Sequence, residues 1–139
     1  MQITIKNRLS DIALVQTALK QFADVRGISS HDVMKINLIV DELISNIVSY
    51  AFEDAGEHEI EIKVGLADNR LSMVITDDGV PFDPSAKDSP DTAAPLEARP
   101  LGGLGIHLVK KIADDLSYQR RAGKNVVTVV KRVNALDRN

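Results

Sequence analysis

Two spacings of apolar residues divide this chain. In "MQITIK" apolar and polar residues alternate, which places Ile3 and Ile5 on one side of a short strand. Ser10 is a candidate N-cap for a helix running toward Arg26, where Gly27 supplies a left-handed stop and Arg26 a cation in the last turn. Ser29 with Asp32 three residues on reads as a capping box. Behind it, Ile36, Val40, Leu43, Ile47 and Ala51 recur at helical spacing and predict a second helix. From Glu59 the period returns to two: Ile60, Ile62, Val64 and Leu66 alternate with polar residues before "ADNR" turns the chain into "LSMVIT". The pattern is that of a β-hairpin.

The stretch from Gly79 to Pro100 holds Pro81, Pro84, Pro90, Pro95 and Pro100 and is without period for most of its length. It predicts a long mobile loop, a lid over about residues 79–102. "GGLGIHLVKKIADD" then restarts a helix on Ile106, Val109 and Ile112, and two further strands follow near "SYQRR" and "VVTVVKRV", joined by a turn at "AGKN". No internal repeat interrupts this order. The expected fold is a single α/β two-layer sandwich over residues 1–139, a mostly antiparallel mixed sheet covered on one face by about three helices.

Composition narrows the functions. A chain of 139 residues with 44% apolar and 27% charged residues suits one hydrophobic core. A net charge of -3 argues against a nucleic-acid groove, which needs a concentrated basic surface. With no cysteine, disulfides, thiolate metal sites and thiol nucleophiles are excluded. No apolar run approaches the ~20 residues of a membrane span, so a soluble cytoplasmic protein without a membrane partner is expected. His31, His58 and His107 lack metal-ligand spacing, and Arg120 with Arg121 reads as the solvated part of an exposed strand.

Three constellations could carry chemistry. Glu42 and Asn46 are stacked i, i+4 at the edge of the second helix's apolar arc, where a cleft would open; they also read as two solvated helix positions. In "ITDDGVPFD" a strand ends in Asp77 and Asp78 and the chain breaks at Gly79. A carboxylate there can accept from a ligand amino group while glycine lets a ligand approach the backbone, though Asp-Gly is equally an ordinary turn. Gly102, Gly103 and Gly105 lead into the third helix, either as a phosphate-binding helix start or as a flexible hinge. Neither the P-loop nor the dinucleotide glycine pattern is matched.

Taken in order, Glu-x-x-x-Asn on a helix, Asp-x-Gly after a strand, a lid and Gly-x-Gly opening a helix resemble the GHKL-type ATPase/kinase superfamily and its Bergerat ATP-binding fold. Within it, "DELISNIVSYAF", "ITDDGVPFDP" and "GGLGIHLVKK" are most similar to the bacterial anti-sigma-factor serine/threonine kinases, and the likeness spans nearly the whole chain. The resemblance implies ATP and Mg²⁺ as cofactors, with Asn46 at the metal-ligand position and Glu42 as the general base. It implies Asp77 at the adenine amino group, with Gly79 where the backbone closes on the base. Gly102, Gly103 and Gly105 fall beside the phosphates, and Thr128 supports the adenine site. Tyr50 departs from relatives that often carry histidine there, and Pro81-Phe82 from a superfamily that often has a second glycine.

The activity implied is phosphorylation of an anti-sigma-factor antagonist of STAS-like fold in a partner-switching system. A sigma factor or similar regulator would be held in the other state, by a possible homodimer. The alternative is a non-catalytic, ATP-gated binding module that sequesters a sigma factor or other regulator. No separate phosphoacceptor-histidine helix precedes the motifs, which counts against an intact sensor histidine kinase.

Overall fold

A computed structural model describes residues 1–84 and 103–135. In chain order the elements are β1 (Gln2–Lys6), α1 (Ile12–Arg26), α2 (Ser30–Tyr50), β2 (Glu59–Ala67), β3 (Arg70–Asp77), α3 (Gly103–Ile112), β4 (Asp115–Arg121) and β5 (Lys124–Arg132). Every helix and strand predicted from the sequence is present in the predicted order. The strands form one sheet, ordered β1-β2-β3-β5-β4, and every pairing is antiparallel. The mostly antiparallel sheet expected is thus antiparallel at every described pairing, without a parallel pair to make it mixed; β2–β3 and β4–β5 are hairpins with two-residue turns, which reverse the chain by construction. Both turns place their central residues at positive φ, Asp68 and Asn69 in one, Ala122 and Gly123 in the other.

Alternation along the strands decides which face meets the helices. Ile60, Ile62 and Val64 of β2, Leu71, Met73 and Ile75 of β3, and Val127 and Val129 of β5 are buried. They join Ile36, Ile39, Val40, Leu43, Ile44 and Ile47 of α2 and Val15 and Leu19 of α1 in one hydrophobic cluster. Ile106 and Val109 bring α3 into the same core, and α3 packs beside α2. Residues in the opposite phase, such as Val74, Thr76, Val126 and Thr128, are only half-buried.

The helix ends follow from local chemistry. Gly27 adopts φ 68° and its N–H bonds the carbonyls of Ala23 and Asp24, ending α1 as expected. Ser10 does not cap that helix. It lies within a 3-10 turn, Leu9–Asp11, while Asp11 turns its carboxylate back to the backbone N–H of Lys6 (3.0 Å) and makes no cap bond to α1. Ser29 does cap α2: its Oγ accepts from the Asp32 N–H (3.2 Å) and donates to the Asp32 carboxylate (3.0 Å). The same carboxylate accepts the Asn134 N–H (2.7 Å), tying the chain beyond β5 to the start of α2.

Candidate nucleotide site

The site is assembled from the last turns of α2 and one end of the sheet. Asn46 is only 2% exposed, deeper than a helix-border position. Its Nδ2 donates to the Glu42 carbonyl one turn back (2.6 Å), which fixes the amide's orientation and leaves Oδ1 as the free acceptor. That Oδ1 is buried and has no hydrogen-bond partner. An acceptor oxygen held in place without a donor is costly in a folded protein unless a ligand completes it, and an amide oxygen suits a hard cation such as Mg²⁺. Glu42 is half-buried, and burial, then the Asp41 charge, pushes its carboxyl above the ordinary glutamate value.

Asp77 ends β3 on the helix-facing side and is 3% exposed. Burial raises its pKa, while bonds from Asn125 and from the Gly79 N–H work against that rise. Both of those bonds fall on one oxygen: Oδ1 accepts Gly79 N–H at 2.9 Å and Asn125 Nδ2 at 3.0 Å. Asn46 and Asp77 line the same cavity, with Leu43 and Ile47 of α2, Ile75 of β3 and Val127 of β5 around them. Phe82 and Pro84 complete its lining, and the Phe82 ring stacks near Tyr50 with centroids 6.4 Å apart. The cavity measures about 10 Å³, the room of one water rather than of a purine.

A protein contact constrains Gly79. A Cβ there would lie 2.3 Å from the Ala51 carbonyl oxygen and 2.7 Å from the Ala51 Cβ, so the loop after β3 sits directly on the residue that ends α2. The next residue completes the junction, with Val80 N–H bonded to the Ala51 carbonyl at 2.7 Å. Gly103 begins α3 and Gly105 lies in its first turn. Gly102, and the expected lid beyond Pro84, lie outside the described residues.

Thr128 is not brought to the group. It pairs with Val74 and Ser117 in the phase opposite to Asp77, Asn125 and Val127, on the sheet face away from the helices. The β5 residue that lines the cavity is Val127. Reading the sequence also passed over Asn125, which sits directly across from Asp77 in the β3–β5 register and is 1% exposed. No phase signal marked it, because Val126 and Val130 are as apolar as Val127 and Val129, and its place beside the "AGKN" turn suggested a solvated residue.

Among the described residues, no group of three or more His, Asp or Glu could hold a metal ion, so any metal here would take its remaining ligands from phosphate and water. No helix among them is long and apolar enough to cross a membrane.

The comparisons with known proteins agree with this architecture. The model of the histidine kinase-like ATPase domain matches residues 5–131. Serine-protein kinase RsbW of Bacillus cereus strain AH820 is 30% identical over 132 residues, covering 91% of this chain and 81% of the relative. The protein of the same name from Bacillus anthracis strain A0248 matches to the same extent. Among solved structures, the Erythrobacter litoralis EL346 blue-light activated histidine kinase superposes with a TM-score of 0.54 at 17% identity. It covers 76% of this chain but 32% of its own, a likeness of fold.

Proposed function

The chain belongs to the histidine kinase-like ATPase domain family, and from that premise we propose that it is an ATP- and Mg²⁺-dependent serine/threonine kinase of the anti-sigma-factor type. Its substrate in this reading is an anti-sigma-factor antagonist of STAS-like fold, and a sigma factor or similar regulator is its second partner. The observation that carries the reading is the convergence of Asn46 and Asp77 on one cavity, with Glu42 one helical turn before Asn46.

Each residue then has a physical task. Asp77 offers Oδ2 to the amino group of adenine, since Oδ1 is already engaged. The aliphatic walls from Leu43, Ile47, Ile75 and Val127 suit a flat apolar ring. Entry of that ring requires Phe82 and Pro84 to give way. Asn46 Oδ1 would hold Mg²⁺, which when bound would offset the negative charge of the phosphates. The glycine-led start of α3 offers backbone N–H groups to phosphate. Glu42 accepts the proton of the attacking hydroxyl; its pKa, raised by burial and then by the Asp41 charge, makes it a stronger base than a solvated glutamate. Transfer should therefore rise with pH as Glu42 ionises, with a midpoint displaced upward from the ordinary glutamate value, and then level off.

The test is incubation with ATP, Mg²⁺ and a candidate antagonist, followed by mass spectrometry. Acid-stable phosphoserine or phosphothreonine is expected. Glu42→Ala should keep nucleotide affinity while transfer falls by roughly 10²- to 10⁴-fold. Nucleotide binding without any phosphoprotein would leave the ATP-gated binding module in place of the enzyme, and acid-labile phosphate would indicate transfer to histidine.

A further inference from the structure

One buried side chain near the cavity has more hydrogen bonds than a structural asparagine needs. Asn125 uses both amide hydrogens, donating from Nδ2 to Asp77 Oδ1 (3.0 Å) and to the Val80 carbonyl (2.8 Å). Its Oδ1 accepts from the Phe82 N–H (3.2 Å), the Tyr118 hydroxyl (2.6 Å) and Arg120 Nη1 (3.1 Å). The amide orientation is dictated by these neighbours, because a carbonyl can only accept and a backbone N–H or guanidinium can only donate. Arg120 extends the brace, donating from the same Nη1 to the Gly79 carbonyl at 2.7 Å. Asp77, Asn125 and Arg120 are successive cross-strand partners on β3, β5 and β4.

The consequence concerns direction. A free carboxylate rotates about its last bond and presents either oxygen; here one oxygen is pinned toward β5, and the other is the one left to meet a ligand. The same amide holds the loop after β3 at two points, Val80 and Phe82, which fixes how far the cavity mouth stands from Asp77. We propose that Asn125, braced by Arg120, is a positioning residue for purine recognition, setting the aim of the Asp77 carboxylate and hence the selectivity for a 6-amino purine. The inference rests on the reading of Asp77 as the adenine-amino acceptor and adds the residues that make it selective.

The experiment measures, by calorimetry on the whole chain, affinity for ATP and for purine riboside triphosphate, which carries hydrogen in place of the 6-amino group. The wild type should prefer ATP by roughly 10- to 100-fold, the worth of one hydrogen bond to a buried carboxylate. Asn125→Ala should bring that ratio to within about threefold of unity, whereas loss of a merely structural residue would weaken both nucleotides alike and leave the ratio intact. Arg120 lies at the exposed end of the edge strand, so Arg120→Ala keeps the fold and should lower the ratio by at least about threefold. If Asn125→Ala fails to fold, Arg120→Ala decides alone. A ratio unchanged in the variants overturns the proposal while leaving Asp77 as acceptor. A wild type that does not discriminate overturns the Asp77 reading and this inference together.

Discussion

The junction between Gly79 and Ala51 yields the most quantitative prediction. In Gly79→Ala the new methyl would stand 2.3 Å from the Ala51 carbonyl oxygen, 2.8 Å from its carbon and 2.7 Å from its Cβ. None of these atoms belongs to a flexible side chain, so the loop must retreat by about an ångström to reach ordinary contact. Overpacking of this kind costs about 1–3 kcal/mol, and the retreat also strains the 2.7 Å bond from Val80 N–H to Ala51, worth about 1 kcal/mol more. The expected loss is about 2–4 kcal/mol. With a urea slope of ~2 kcal/mol/M, the unfolding midpoint should fall by ~1–2 M. Gly65→Ala is the internal control: a Cβ there has nothing within 4 Å, so restricting the unfolded chain should leave stability unchanged or raise it by up to ~1 kcal/mol. A Gly79→Ala midpoint within about 0.3 M of wild type would mean that the loop yields freely and the packing argument is wrong.

Two further outcomes follow from particular geometries. Ala122 sits at φ 53° in the β4–β5 turn, a conformation costly for a residue with a Cβ; Ala122→Asn, giving Asn-Gly, should stabilise by about 0.5–1 kcal/mol, read as a rise of about 2–4 °C in Tm. His58 contacts Asp54 through Nε2 at 2.8 Å and Asp78 through Nδ1 at 3.5 Å, with its ring stacked on Phe52. The hydrogen bond to Asp54 is the largest of the effects that raise its pKa. A raised folded-state pKa contributes stability that is full below the unfolded value and fades as pH rises through the folded one. The stability gap between wild type and His58→Gln should accordingly narrow from pH 6 to pH 8, and a gap that widens would contradict the assignment.

The element order was legible because the apolar period switches cleanly between 3.6 and 2, and because Gly27 and Ser29 mark their helix ends chemically. Ser10 misled because the true start of α1 is preceded by a 3-10 turn, which no side-chain cap announces. The strand phase of β5 was hidden by its own composition. "VVTVV" is apolar on both sides of the threonine, so only the pairing with β3, Val74 opposite Thr128 and Ile75 opposite Val127, decides which face each takes. Asn125 was unreadable for a related reason: a polar residue beside a turn looks solvated until a register puts it opposite a buried carboxylate. Glu42, Asn46 and Asp77 were legible as a pattern, whereas the packing of Gly79 against a residue 28 positions earlier in the chain was not.

The spacing of the Asn125 partners along the chain bears on how Asp77 becomes buried. Tyr118 and Arg120 lie seven and five residues from Asn125, within one hairpin, whereas Asp77 lies 48 residues away. Closing the short loop costs far less chain entropy than closing the long one. The amide, its hydroxyl and its guanidinium can therefore gather while β4 and β5 pair, ahead of the central strand. On that order of assembly the carboxylate leaves water only on docking against a donor already aimed at it, and the folding chain is spared a stage in which a desolvated aspartate waits without a partner.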